Sequence, residues 1–131
     1  MTNAYKGGCL CGNIRFTVVG EPKNPHACSC KICQRHSGSI TQLWVEFSKQ
    51  QVSWDGPGGE PAQWRSSDFS SRSFCPVCGS TLGAIDDEPV VALVLGVFDS
   101  NNKKELKPNS HSYKSKTPKW WSVEINKQPD T

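Results

Sequence analysis

Seven cysteines fall in three tight groups: Cys9 and Cys11, then Cys28, Cys30 and Cys33, then Cys75 and Cys78. Thiolates are soft ligands. Zinc takes four protein ligands at a structural site, and three plus an open position at a catalytic one. Seven divides as four plus three. In Cys75-Pro76-Val77-Cys78-Gly79 two residues separate the thiols, so the backbone can curl until both sulfurs reach one ion, and Gly79 permits the positive φ of such a turn. Cys9 and Cys11, two apart, face one side of a strand or hairpin and would complete that tetrahedron. This division leaves Cys28-Ser29-Cys30-Lys31-Ile32-Cys33 intact as three ligands on one short segment. A redox role for Cys75 and Cys78 is the rival reading, but no βαβ pattern surrounds them.

Three thiolates leave a fourth position for water or an incoming thiol, and zinc favours the thiolate of a bound thiol at neutral pH. The alternative is closure by histidine: His26 and His36 are near in sequence, whereas His111 is far away. Glutathione would be the natural small thiol, and its carboxylates would seek cations. Arg35, just after the triplet, can grip a carboxylate with both arms of its guanidinium. Arg65 and Arg72 are further candidates, though surface ion pairs are the expected place for both.

The elements that must hold these groups read as short strands. Asn13 to Val19 alternates, with Ile14, Phe16 and Val18 on one side. Lys31 to His36 suits a single helical turn ended by Ser37-Gly38-Ser39. Ile40 to Phe47 reads as a strand with Thr41, Leu43, Val45 and Phe47 on one face, followed by short strands at 51–54 and 61–66, while 71–74 leads into the second cysteine pair and 80–85 leads out of it. Val90 to Phe98 is the most apolar run, rich in β-branched residues, and is expected to be the central buried strand. Residues 99–110 form a polar loop, 111–113 a brief strand, and Pro118-Lys119-Trp120-Trp121 a turn. The pattern predicts a mainly β, single-domain chain over residues 1–131 with few or no long helices.

Composition narrows the classes. A hydrophobic fraction of 35% and a mean hydropathy of −0.54 imply a modest core that a metal would help to stabilise. An odd number of cysteines argues against a complete disulfide framework. Met1 to Lys6 contain no apolar stretch of signal-peptide type, and no run is long enough to span a bilayer. A cytoplasmic protein with reduced thiols is expected. Charge is uneven: residues 1–100 carry eight basic against nine acidic side chains, whereas residues 101–131 carry seven lysines against three acids. Such a tail is most simply a solvated face, but it could also attract an anion.

Gly8-Cys9-Leu10-Cys11-Gly12, the run from Cys28 through Gln34-Arg35-His36-Ser37-Gly38, and Phe74-Cys75-Pro76-Val77-Cys78-Gly79-Ser80 together resemble the glutathione-dependent formaldehyde-activating enzyme family, which includes centromere protein V. His111-Ser112-Tyr113 to Trp120-Trp121 resembles the family's C-terminal segment, so the likeness covers about residues 7–121. It implies a β-tent fold of small antiparallel sheets around a structural zinc held by Cys9, Cys11, Cys75 and Cys78. It also implies a second, more labile catalytic zinc on Cys28, Cys30 and Cys33. The implied reaction joins glutathione to formaldehyde as S-hydroxymethylglutathione, a carbon–sulfur lyase reaction run in reverse. The partners would then be a small thiol and a small aldehyde, with no membrane and no nucleic acid. A competing function is a zinc-stapled binding module, with Lys103, Lys104, Lys107, Lys114, Lys116 and Lys119 beside Trp120 and Trp121 meeting nucleic acid or a protein.

Overall fold

The computed structural model describes residues 3–123 and 125. Lys127 of the basic tail and the outermost residues of the expected 1–131 domain lie outside the described residues. The strands are β1 (Ala4–Gly8), β2 (Arg15–Val19), β3 (Lys23–Cys28), β4 (Gln42–Ser48), β5 (Val52–Trp54), β6 (Ala62–Arg65), β7 (Ser70–Phe74), β8 (Thr81–Asp86), β9 (Val90–Val94) and β10 (His111–Ser112). One helix, α1 (Lys31–Ser37), lies between β3 and β4. The fold is mainly β, as the sequence pattern predicts, and no helix among the described residues is long and apolar enough to cross a membrane.

Two sheets divide the strands. A small one has the order β1-β2-β5, and a larger one runs β10-β3-β4-β9-β8-β7-β6. Every pairing is antiparallel except β10 on β3. Side chains alternate across a strand, and the alternation in β2 and β4 creates the core. Phe16 and Val18 of the small sheet meet Val45 and Phe47 of β4, with Val91, Leu93 and Leu95 beside them. Tyr5, Phe16, Phe47 and Phe98 form a set of ring contacts with centroids 5.4–6.3 Å apart. Burying each large side chain here contributes about 1.5–3 kcal/mol.

β9 is the middle strand of the seven, as its apolar run implies, but it is shorter than the run. It ends at Val94, and Leu95–Val97 form a 3-10 turn. Phe98 must leave the large sheet to join the aromatic set and to bridge Gly7 of β1, so tertiary packing overrides local β propensity. In the polar segment that follows, Leu106 is fully buried and Glu105 accepts a hydrogen bond from the Tyr5 hydroxyl at 2.6 Å.

The opposite face of β4 serves the site. There Trp44 packs with Ala84, Val94, Cys28 and Cys33 in a second buried cluster. Leu43, Val45 and Phe47 share the core side as expected, which leaves Trp44 facing the triplet.

Candidate functional site

The four-cysteine group is built on two turns. Cys9 and Cys11 lie in the connection between the paired strands β1 and β2, a hairpin. Cys75 and Cys78 lie between β7 and β8, also paired. Gly79 adopts φ 79°, the left-handed conformation expected of it, and its N–H donates to the Cys75 carbonyl. Sulfur separations are 3.7 Å for Cys9–Cys11 and 3.8 Å for Cys11–Cys75. A tetrahedron with bonds of about 2.3 Å has edges of about 3.8 Å, so the spacing and the all-sulfur donor set fit one zinc-sized ion. The sulfurs are met by neutral donors: Ile14 N–H to Cys9, Val77 and Cys78 N–H to Cys75, and the Ser80 hydroxyl at Cys78. Cys9 and Cys75 are buried, whereas Cys11 and Cys78 face solvent.

The triplet forms where β3 runs into α1. Cys28 closes β3, and Cys30 is the helix N-cap, its sulfur accepting from the Cys33 N–H at 3.2 Å. Cys33 lies in the first turn. The helix is nearly two turns long, longer than the single turn predicted, and Gly38 stops it at φ 74°. All three sulfurs lie within 4.8 Å of one another, so they too can hold a metal ion. Neither His26 nor His36 joins them; among the described residues the donor group contains sulfurs alone. His26 Nδ1–H donates to the Asn24 carbonyl. Both ring nitrogens of His36 are buried without a hydrogen-bond partner, and burial, aided by the nearby Arg72 charge, pushes its pKa down to about 4.

Residues remote in sequence support this segment. Ser29 is fully buried between Cys28 and Cys30 in the chain, and its hydroxyl meets Thr41 Oγ1 at 2.9 Å and His111 Nε2 at 2.8 Å. β10 pairs with the end of β3, Ser112 opposite Cys28, and Gln34 Nε2 donates to the carbonyls of Ser29 and Lys116. His111, distant along the chain, is thus a neighbour of the triplet. Trp121 adds a bond from Nε1 to Thr41 Oγ1.

Arg72 of β7 corrects the sequence expectation more sharply. Among the described residues it is in no ion pair: its two terminal nitrogens lie 3.5 and 3.6 Å from Cys33 Sγ, and its guanidinium sits over the Trp44 ring, 5.1 Å from the centroid. Arg65 does form the expected surface pair, a two-pronged one with Asp87 at 2.7 Å. Hydrogen bonding with Cys28, then with Cys30, and the Arg72 cation favour a thiolate at Cys33. Without a metal, the same pairing with Cys33, together with burial, pushes the Cys28 thiol up, a preference that a cation bound by all three sulfurs would override.

The triplet opens on a cavity of about 260 Å³, floored by Trp44, Ala84 and Ala92 and rimmed by Ile32, Phe69 and Tyr113. Arg35 is exposed and lines a separate cavity of about 530 Å³ that shares Ile32, Ser66 and Arg72 with the first. Lys103, Lys104 and Lys107 lie along a different depression, floored by Leu43, Leu95 and Leu106.

A family model described as glutathione-dependent formaldehyde-activating enzyme matches residues 4–116, spanning both cysteine groups and the β10 segment. The chain belongs to that family. An uncharacterized lyase of Schizosaccharomyces pombe is 33% identical over 78 residues, which cover 60% of this chain and 55% of the relative, so the match spans about half of its length. The crystal structure of a Rhodobacter sphaeroides protein superposes with a TM-score of 0.63 at 16% identity, covering 82% of this chain and 99% of that one, a likeness of fold alone. Membership in the formaldehyde-activating family supports a lyase-type role in general terms.

Proposed function

We propose that the chain is a zinc-dependent, carbon–sulfur lyase-like enzyme that joins glutathione or another small thiol to formaldehyde or a related aldehyde. On this reading it is a single cytoplasmic domain. Cys9, Cys11, Cys75 and Cys78 hold a structural zinc, and Cys28, Cys30 and Cys33 hold a catalytic one. Bound at the triplet, zinc supplies an open position that keeps an incoming sulfur as thiolate at neutral pH. The observation that carries the reading is a cavity walled by three sulfurs, with no fourth protein donor among the described residues, in a chain of this family.

The sulfur electron pair attacks the aldehyde carbon, a C–S bond forms, and the carbonyl π pair moves to oxygen, which takes up a proton. The product is the S-hydroxymethyl adduct, and the reverse direction is the lyase reaction. Trp44, Ala84 and Ala92 give the reacting atoms an apolar floor that limits water. Because the two cavities adjoin, a peptide thiol can place its sulfur at the triplet and a carboxylate on Arg35.

Exchange NMR with ¹³C-formaldehyde and glutathione tests this. Wild-type protein should accelerate adduct exchange well above the spontaneous rate, and Cys30→Ser should fall at least about a hundredfold, the scale at which a displaced catalytic group is felt. Wild-type rates equal to background would sink the enzyme reading.

A further inference from the structure

We propose that Arg72 is the counter-ion of the triplet, a positioning residue whose charge lets three cysteines accept a fourth, anionic sulfur. The proposal rests on the thiol-capture reading above. Three thiolates and one divalent cation sum to one negative charge, and an entering thiolate makes it two. Cys28 and Cys33 are 8% and 3% exposed, and beside them lie Trp44, Ala84 and Val94 rather than water. Excess charge in such surroundings is costly unless an opposite charge is fixed nearby.

Arg72 is placed to offset it. Both terminal nitrogens reach Cys33 Sγ, at 3.5 and 3.6 Å. The Trp44 face holds the guanidinium in position, and β7 is paired on both sides, with Arg72 opposite Trp64 of β6 and Ala84 of β8. Glu46 and Asp86 also line the cavity, yet neither forms an ion pair with Arg72, so its charge stays directed at sulfur. The four-cysteine group is served differently: Arg15 is near enough to feel Cys9, but its guanidinium is bonded to Asp99, and the sulfurs take backbone and hydroxyl donors while water reaches Cys11 and Cys78. An arginine aimed at one cluster only marks that cluster as the one that gains charge when it binds.

The test uses the full chain with cobalt in both sites and two small probes, 2-mercaptoethanol, which adds a charge as its thiolate, and imidazole, which adds none. In thiol-free Arg72→Met the triplet's sulfur-to-cobalt charge-transfer band should move to lower energy, because Cys33 loses its N–H donors. The same variant should bind 2-mercaptoethanol roughly ten- to a hundredfold more weakly, the scale of a lost hydrogen bond to a charged group. Imidazole affinity should hold within about threefold, and Arg72→Lys should restore part of the thiol affinity. Equal loss of both probes would show a merely structural role, and loss of neither would show no role; each overturns the proposal. Wild-type protein that binds imidazole and ignores 2-mercaptoethanol overturns the thiol reading itself and this proposal with it. Should Arg72→Met fail to fold, Arg72→Gln against Arg72→Lys makes the same comparison.

Discussion

The two cysteine groups differ in where their support comes from. The four-cysteine group is supported locally: two hairpin turns bring the cysteines together, and the donors to their sulfurs come from Ile14, Val77, Cys78 and Ser80, all within five residues of one of the four. The triplet is local in its ligands but not in its surroundings. Thr41, Trp44, Arg72 and His111 converge on it from β10, β7, β4 and the residue just before β4. A group tied by turns fastens the chain; a group walled by distant elements leaves a cavity whose shape the whole sheet controls.

The comparison is broken most directly by exchanging damage between the groups. On the proposed zinc reading, Cys75→Ser removes a fully buried sulfur from the group joining the two hairpin turns, and should cost about 4 kcal/mol or more or prevent folding, as losses of structural metal do. Cys30→Ser should leave the melting transition within a few degrees of wild type. Thermal unfolding with zinc counting measures both; equal destabilisation would erase the distinction. A mild chelator should release metal in two steps, the triplet first, followed with a colorimetric zinc reporter, whereas one step for both would argue for equivalent sites.

Ser29→Ala sharpens the contrast. It unties the Thr41 and His111 bonds and should cost about 1–3 kcal/mol. It should also weaken metal at the triplet about ten- to a hundredfold, the scale of lost outer-shell support, with the four-cysteine group unchanged.

The smallest effect belongs to His36. Its folded pKa, about 4, lies below the usual imidazole value of 6.5, so the unfolded chain binds the extra proton between these values. Its contribution is therefore complete above about pH 6.5 and is lost as pH falls towards 4, on the order of 1 kcal/mol after solvent screening. NMR should find the His36 ring still neutral at pH 5.5.

Much of this was legible in the sequence because it is local. The division of the cysteines needs only their spacing, and the alternation of Ile14, Phe16 and Val18 or of Leu43, Val45 and Phe47 marks the core face at once. Arg72 was not legible. Ser-Arg-Ser-Phe gives no hint that its guanidinium crosses to a helix 39 residues earlier, because that contact depends on the register of β7 against β8 and on Trp44 facing away from the core. The brief strand at 111–113 was expected, but its pairing beside Cys28, which brings His111 to the triplet, was not, since a two-residue parallel pairing carries no sign of its partner. The early end of β9 follows from where Phe98 must pack, another long-range condition.

The two-residue strand β10 also bears on how the protein is made. Chains emerge from the ribosome in order, at about 5–20 residues per second. The four-cysteine group has all its sulfurs once Cys78 is out, whereas the triplet, though its sulfurs come earlier, gains the His111 tie to Ser29 only after another thirty-three residues have been added. The four-cysteine turns can thus come together on a nascent chain whose triplet cavity is still unfinished, so the scaffold is in place before the last support of that cavity arrives.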